Sequence, residues 1–258
     1  MSFNSISGTD AICTIIENQT INKKSKKFNT PVIYLSENED SVNGFKELNQ
    51  TQLKNAVLQH IPNFEKERDI LYISGMSGSG KSYYCRNYIL QYHKIYPDNK
   101  IFLFSTCLED PAYDDLEYIK RYELDDEFIN EHFEIDNFKD MLIIFDDFDT
   151  IMNKIIKNKI REIIDMILQT GRKTHTSALI TSHLATDGKQ TKLILHEATS
   201  ITFFLKGCGG RSINYLLDAY LGLDKNQIKK IRKIKSRAIT IFKTYPQVIL
   251  GEKELFII

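Results

Sequence analysis

No apolar run in this 258-residue chain approaches the roughly 20 residues that a membrane-spanning helix requires, so no such helix is expected. Cysteine is scarce. The four present, at positions 13, 85, 107 and 208, show no C-x-x-C spacing. That pattern argues against a zinc site or a disulfide framework and fits reduced, packed cysteines in a cytosolic-type compartment. The opening residues, Met1-Ser2-Phe3-Asn4-Ser5-Ile6-Ser7, lack the charge and apolar core of a signal peptide. Internal repeats and long low-complexity segments are missing too. What remains is ordinary for a folded domain, with 42% hydrophobic and 26% charged residues and enough length for a substantial core.

Net charge is also absent, with 34 basic and 34 acidic residues, but their distribution is uneven. Residues 1–149 hold 15 Lys and Arg against 26 Asp and Glu, whereas residues 150–258 hold 19 against 8. Such segregation fits a polyanion-binding face on the second half, or two solvated surfaces that meet one another.

The most telling stretch is Gly75-Met76-Ser77-Gly78-Ser79-Gly80-Lys81-Ser82. It has two glycines, Gly75 and Gly80, separated by four residues, then Lys and Ser, the phosphate-binding loop pattern. Residues 69–74 before it read as a buried strand, and residues from 83 to about 93 as a helix. Backbone N–H groups in such a loop point at phosphates, and the helix adds the positive end of its dipole. Lys81 is expected to reach the β- and γ-phosphates, and Ser82 to place its hydroxyl on a magnesium ion.

Strands and helices then alternate. Residues 101–105, 141–145, 178–180 and 201–205 read as strands. Residues 151–169 read as an amphipathic helix with Ile151, Ile155, Ile156, Ile160, Ile163, Ile164 and Ile167 on one face. Helices are expected over about 211–222 and 225–236, with closing strands at 239–242 and 248–250. The acidic stretch 109–140 reads as irregular, partly helical and exposed. Upstream, 11–16 and 31–35 read as strands, 22–27 as a loop and 50–60 as a short helix. The fold class is therefore α/β: a P-loop fold with a mostly parallel central sheet flanked by helices, short N-terminal strands and a C-terminal helical and β extension. The divisions are a β-containing extension over 1–65, a nucleotide-binding core over 66–210, and basic helices with closing strands over 211–258, within the same domain as the core.

Two further clusters sharpen the chemistry. The apolar run 141–145 ends in Asp146-Asp147, carboxylates at the strand tip where α/β sheets bind ligands. Asp146 is expected to support the metal and Asp147 to polarise an attacking water. Gly171-Arg172 then precedes the strand that ends at Ser182-His183. Arg172 reads either as a finger for transferred-phosphoryl charge or as a cation on a helix C-terminus. Ser182 and His183 read as γ-phosphate sensors, or His183 as an ordinary histidine. Near the C-terminus, Lys225, Lys229, Lys230, Arg232, Lys233, Lys235 and Arg237 crowd one expected helix beside an Ile228, Ile231, Ile234 stripe. Such a helix follows a phosphate backbone, or is simply a solvated basic surface.

Together, Gly75–Ser82, Leu142-Ile143-Ile144-Phe145-Asp146-Asp147, Gly171-Arg172 with the strand to Ser182-His183, and Ser236-Arg237-Ala238-Ile239-Thr240-Ile241-Phe242 with Pro246 resemble a known family. It is the poxvirus-type genome-packaging ATPases of large double-stranded DNA viruses, in the FtsK–HerA superfamily. The resemblance covers about residues 69–250. Lys173 departs from it, standing where the family has His, and so do Ser182 and His183, standing where a Gln is common. The resemblance implies an ATPase with ATP and Mg2+ that moves double-stranded DNA into a capsid. It further implies a homo-oligomeric ring, pentamer or hexamer, with Arg172 acting in trans, a viral capsid or inner-membrane partner, and residence in the host cytoplasm (viral factory) or the virion. Two other readings share the loop: a small-molecule or nucleoside kinase, which usually carries an Arg-rich lid not evident here, and a non-motor ATP-binding virion component.

Overall fold

The computed structural model describes residues 2–4, 9–17, 32–36, 56–205 and 210–258. The loop expected at 22–27, the first part of the helix expected at 50–60, and Cys208 lie outside the described residues.

The central sheet has nine strands. In chain order they are β5 (Ile70–Ser74), β6 (Ile101–Phe104), β7 (Ile119–Tyr122), β8 (Leu142–Phe145), β9 (Ser177–Ser182), β10 (Ser200–Phe204), β11 (Ala238–Phe242), β12 (Val248–Leu250) and β13 (Leu255–Ile257). Their spatial order is β13-β12-β11-β10-β5-β9-β8-β6-β7. The six strands from β10 to β7 run parallel, and β11 to β13 add antiparallel strands to the β10 edge.

Strand periodicity explains the layering. In β5, Leu71 and Ile73 face a core shared with Cys85, Tyr88 and Ile89 of α1 (Lys81–Ile95). Ile70 and Tyr72 face the opposite core, shared with Ile160, Ile163, Ile164 and Ile167 of α3 (Lys154–Thr170). β8 divides its side chains in the same way. Strands covered on both faces lose the apolar–polar alternation and become continuous apolar runs, which is why β5 and β8 read so clearly. Of the expected isoleucine stripe, Ile156, Ile160, Ile163, Ile164 and Ile167 pack in the core, whereas Ile155 is exposed in the first turn and Ile151 is buried ahead of the helix; Asn153 caps α3 by accepting from Ile155 N at 2.9 Å.

Several expectations are corrected. Residues 56–60 are a strand, β4 (Ala56–His60), not the end of a helix. β4 pairs with β2 (Asp10–Glu17), so long-range pairing overrides local preference. The segment 109–140 contains β7, the short helix α2 (Asp126–Asn130) and buried Phe128 and Phe138, so it is only partly exposed. The unanticipated α4 (Gly188–Glu197) covers the same sheet face as α3. The helix expected over 211–222 is α5 (Gly210–Tyr215) followed by a π turn. The one expected over 225–236 is shorter, α6 (Lys225–Ile231), so Lys233, Lys235 and Arg237 lie on the connection to β11.

A second, four-stranded antiparallel sheet has the order β1-β3-β2-β4, where β1 is Ser2–Asn4 and β3 is Val32–Ser36. Its Phe3, Ile12, Ile33 and Leu35 share a core with Phe242, Val248, Leu250 and Leu255 of the large sheet. At this junction His60 is buried, with its ring Nδ1 3.0 Å from the Tyr84 hydroxyl. Burial disfavours the imidazolium and pushes the His60 pKa down to about 4. The unfolded chain, with an ordinary histidine, therefore binds the extra proton between about pH 6.5 and about pH 4, and stability falls as the pH falls through that window. From pH 7 to pH 5 the expected loss from this group is about 2 kcal/mol. Urea unfolding of the wild type and of His60→Phe at both pH values checks this. A pH slope that is the same in both proteins would contradict it.

Candidate nucleotide site

The loop between β5 and α1 adopts the conformation that its glycines permit. Gly80 lies at φ 109°, where a side chain would be strained. At Gly75 the constraint is space: a Cβ there would sit 2.5 Å from Ser79 Oγ and 2.9 Å from the Phe204 ring. The loop is tied to the sheet by Gly75 N, which donates to Ser182 O at 3.1 Å. Met76, Ser77 and Gly78 form the exposed crest. Ser82 is half-buried in the first turn of α1.

Lys81 points inward and is only 5% exposed. Its Nζ donates to Gly75 O at 2.8 Å and lies 3.2 Å from Asp147 Oδ1. The strand order makes this meeting possible. β9 is inserted between β5 and β8, so the loop and the Asp146-Asp147 tip flank the end of β9. Polar groups of β9 fill the gap. Thr181 Oγ1 accepts from Asp147 N at 2.6 Å and lies 3.1 Å from one oxygen of each of the two carboxylates. Asp147 has φ 45°, a left-handed turn that ends the strand. Such a backbone in a non-glycine residue carries strain, and here the Thr181 contact holds it.

The two aspartates differ in environment. Asp146 is 6% exposed, and its pKa is pushed up to about 6, first by burial and next by the charge of Asp147. A buried carboxylate that resists ionising beside a second carboxylate suits a hard divalent cation, which oxygen ligands bind. The adjacent carboxylates of Asp146 and Asp147 are thus a donor set of the kind that Mg2+ takes.

His183 follows β9 directly. Its Nε2 is 3.6 Å from Asp147 Oδ2, its Nδ1 is 3.5 Å from Asp149 Oδ1, and its backbone N donates to Asp149 Oδ2 at 3.0 Å. Ligand atoms of Asp147, Asp149 and His183 lie within 4.8 Å of one another. Ser182 sits differently. It is fully buried, its carbonyl anchors the loop, and its Oγ accepts from Leu184 N at 3.2 Å. The polar side chains beside Asp147 are therefore Thr181 and His183, and Ser182 serves the loop backbone. Sequence reasoning gave Thr181 and Asp149 no role of their own. Thr181 belonged to the polar end of the strand, and Asp149 followed the aspartate pair by two residues, so both signals were visible.

Arg172 is not brought to the site. It precedes β9, at the opposite end of the sheet from Lys81, exposed and paired through Nε with Glu67 Oε2 at 2.5 Å. The basic cluster does not share one helix, although all of its members are exposed. Lys229, Lys233 and Lys235 are exposed, Lys230 Nζ lies 4.6 Å from the centroid of the Phe256 ring, and Arg232 donates to Asn214 Oδ1 at 2.8 Å. Arg237, expected on a nucleic-acid face, instead donates through Nη2 to Ser79 O at 3.0 Å, at the phosphate loop itself. The expected helix ends early, and the turn to β11 carries Arg237 back to the strand ends. Among the described residues, no helix is long and apolar enough to cross a membrane.

No protein-family model matches the chain. Uncharacterised protein V3 of Sputnik virophage is 41% identical over 198 residues, which is 72% of this chain and 75% of that protein. Among solved structures, the genome-packaging NTPase B204 of Sulfolobus turreted icosahedral virus 2, in complex with AMPPCP, aligns over 72% of this chain and 99% of its own. It does so at 13% identity with a TM-score of 0.48. ATPases 2 and 3 of EssC from Geobacillus thermodenitrificans align over 98% of this chain and 45% of theirs, at 10% identity with a TM-score of 0.46. Likenesses of that strength carry no weight for activity, so the assignment stands on the virophage relative and on the residues themselves. The chain belongs to the same family as protein V3 of Sputnik virophage.

Proposed function

We propose that this chain is an ATP-hydrolysing motor that translocates double-stranded DNA and packages a viral genome into a capsid. The observation that carries the hydrolytic half is the convergence of Lys81 Nζ and Asp147 Oδ1 at 3.2 Å across the end of β9. With ATP bound, Lys81 exchanges Asp147 and Gly75 O for β- and γ-phosphate oxygens, and this frees the Asp147 carboxylate to accept a proton from the attacking water. His183, beside Asp147 and braced by Asp149, is placed to respond to the γ-phosphate. A magnesium ion held by Asp146 and Ser82 supplies charge neutralisation at the phosphates.

The motor half rests on the family resemblance and on the exposed Lys229, Lys233 and Lys235, which suit a sequence-tolerant phosphate-backbone contact. The separation of Arg172 from its own Lys81 supports a ring of identical copies, pentamer or hexamer, in which Arg172 serves a neighbour's site. Release of Arg172 from Glu67 would be part of that assembly. Location in the viral factory or virion and docking to a capsid or inner-membrane component belong to the same proposal. The test is ATP turnover with and without duplex DNA. Stimulation by DNA that fades with rising salt is expected, and phosphate appearing on an added nucleoside, not as free phosphate, would favour a kinase.

A further inference from the structure

Arg237 stands one residue before β11, whose Ala238 pairs with Phe204 at the end of β10. β10 runs parallel to β5, with Phe203 opposite Ser74. This pairing sets Arg237 at the sheet edge from which the phosphate loop springs. Its guanidinium packs over Gly80 so closely that a Cβ at that position would lie 2.8 Å from Nη2. Its hydrogen bond is to a neutral acceptor, Ser79 O, and among the described residues no carboxylate pairs with it. The side chain is exposed. A guanidinium offers five donors in a planar fork that matches phosphate oxygens, and one neutral carbonyl uses little of that capacity.

We propose that Arg237 is a nucleotide-binding residue of the same subunit, turning from Ser79 O to a phosphate oxygen of the bound nucleoside triphosphate. The inference rests on the reading of Gly75–Ser82 as an ATP site and adds a cationic ligand from outside the loop.

The test is equilibrium titration of the full-length protein with a fluorescent ATP analogue, comparing wild type, Arg237→Ala, Arg237→Lys and Lys81→Ala. Loss of a charge-assisted contact to phosphate is expected to weaken binding of the analogue roughly ten- to hundredfold in Arg237→Ala. Arg237→Lys should fall between, because it keeps the charge without the fork. Thermal unfolding should be unchanged, since the side chain is exposed. Competition by inorganic tripolyphosphate should weaken by the same factor. A loss for the analogue that tripolyphosphate does not share would overturn the phosphate contact. Unchanged analogue affinity in Arg237→Ala, with affinity lost in Lys81→Ala, would overturn this inference and leave the ATP site standing. Unchanged affinity in both variants would overturn the site itself. Weaker duplex-DNA binding with intact nucleotide affinity would return Arg237 to the basic surface and contradict the inference.

Discussion

Replacing Lys81 by Ala is expected to lower ATP turnover by about two to three orders of magnitude, the cost of losing a preorganised donor to transition-state charge. It should also weaken nucleotide binding, because the charge-assisted bonds to the phosphates go with the ammonium. The structure adds a second cost. Lys81 is nearly buried, and its Nζ satisfies Gly75 O and offsets the Asp147 charge. Truncation leaves the adjacent Asp146 and Asp147 without the cation that pairs with Asp147, so the variant should also unfold at a lower temperature when no nucleotide is present. Steady-state phosphate release and a melting curve measure the two effects separately. Unchanged turnover in Lys81→Ala would refute the assignment of the site.

Asp147→Asn should separate chemistry from binding. Asn tolerates the left-handed backbone that residue 147 adopts, and its N–H still reaches Thr181 Oγ1, so the strand tip should keep its shape. What disappears is the carboxylate proposed to accept a proton from water. General-base loss typically costs about 10²- to 10⁴-fold in rate. The expected result is a collapse in turnover with nucleotide affinity held near that of the wild type, in contrast to Lys81→Ala, where both fall. The substitution also removes a like charge beside Asp146, whose pKa is raised in part by that charge. Parallel measurement of turnover and of ATP-analogue affinity checks the separation. If affinity falls as far as turnover, Asp147 holds the nucleotide or its metal, and is not the base.

These expectations show how far the chain could be read without its structure. The loop, its lysine and the two aspartates were legible because each sits at the end of a strand buried on both faces, which leaves an uninterrupted apolar run beside a polar tip. β5 and β8 are such strands. β7, whose residues Ile119-Lys120-Arg121-Tyr122 form a half-exposed sheet edge, carried no such run and was lost in the acidic stretch. β4 was misread because its partner β2 lies about forty residues upstream and nothing local announces the pairing. The order of strands, and therefore the insertion of β9 that brings Thr181 between the aspartates and the loop, is a property of packing and not of any one segment.

The basic C-terminal cluster shows the opposite failure. Its composition was read correctly as a crowd of cations, but helical spacing was extended beyond Ile231, where the helix stops. The residues after that point are positioned by β11, so Arg237 faces the loop while Lys233 and Lys235 face solvent. One cluster in sequence thus divides in space between a contact to the Ser79 backbone and exposed cations that make no such contact.

The most direct test of a DNA-coupled hydrolytic site is phosphate release by the purified wild-type chain, measured with and without duplex DNA over a range of salt concentrations. The prediction is turnover that rises with DNA, loses that rise as salt screens the backbone contact, and falls by about two to three orders of magnitude in Lys81→Ala under every condition. Equal turnover with and without DNA, at every salt concentration and assembly state, would contradict it.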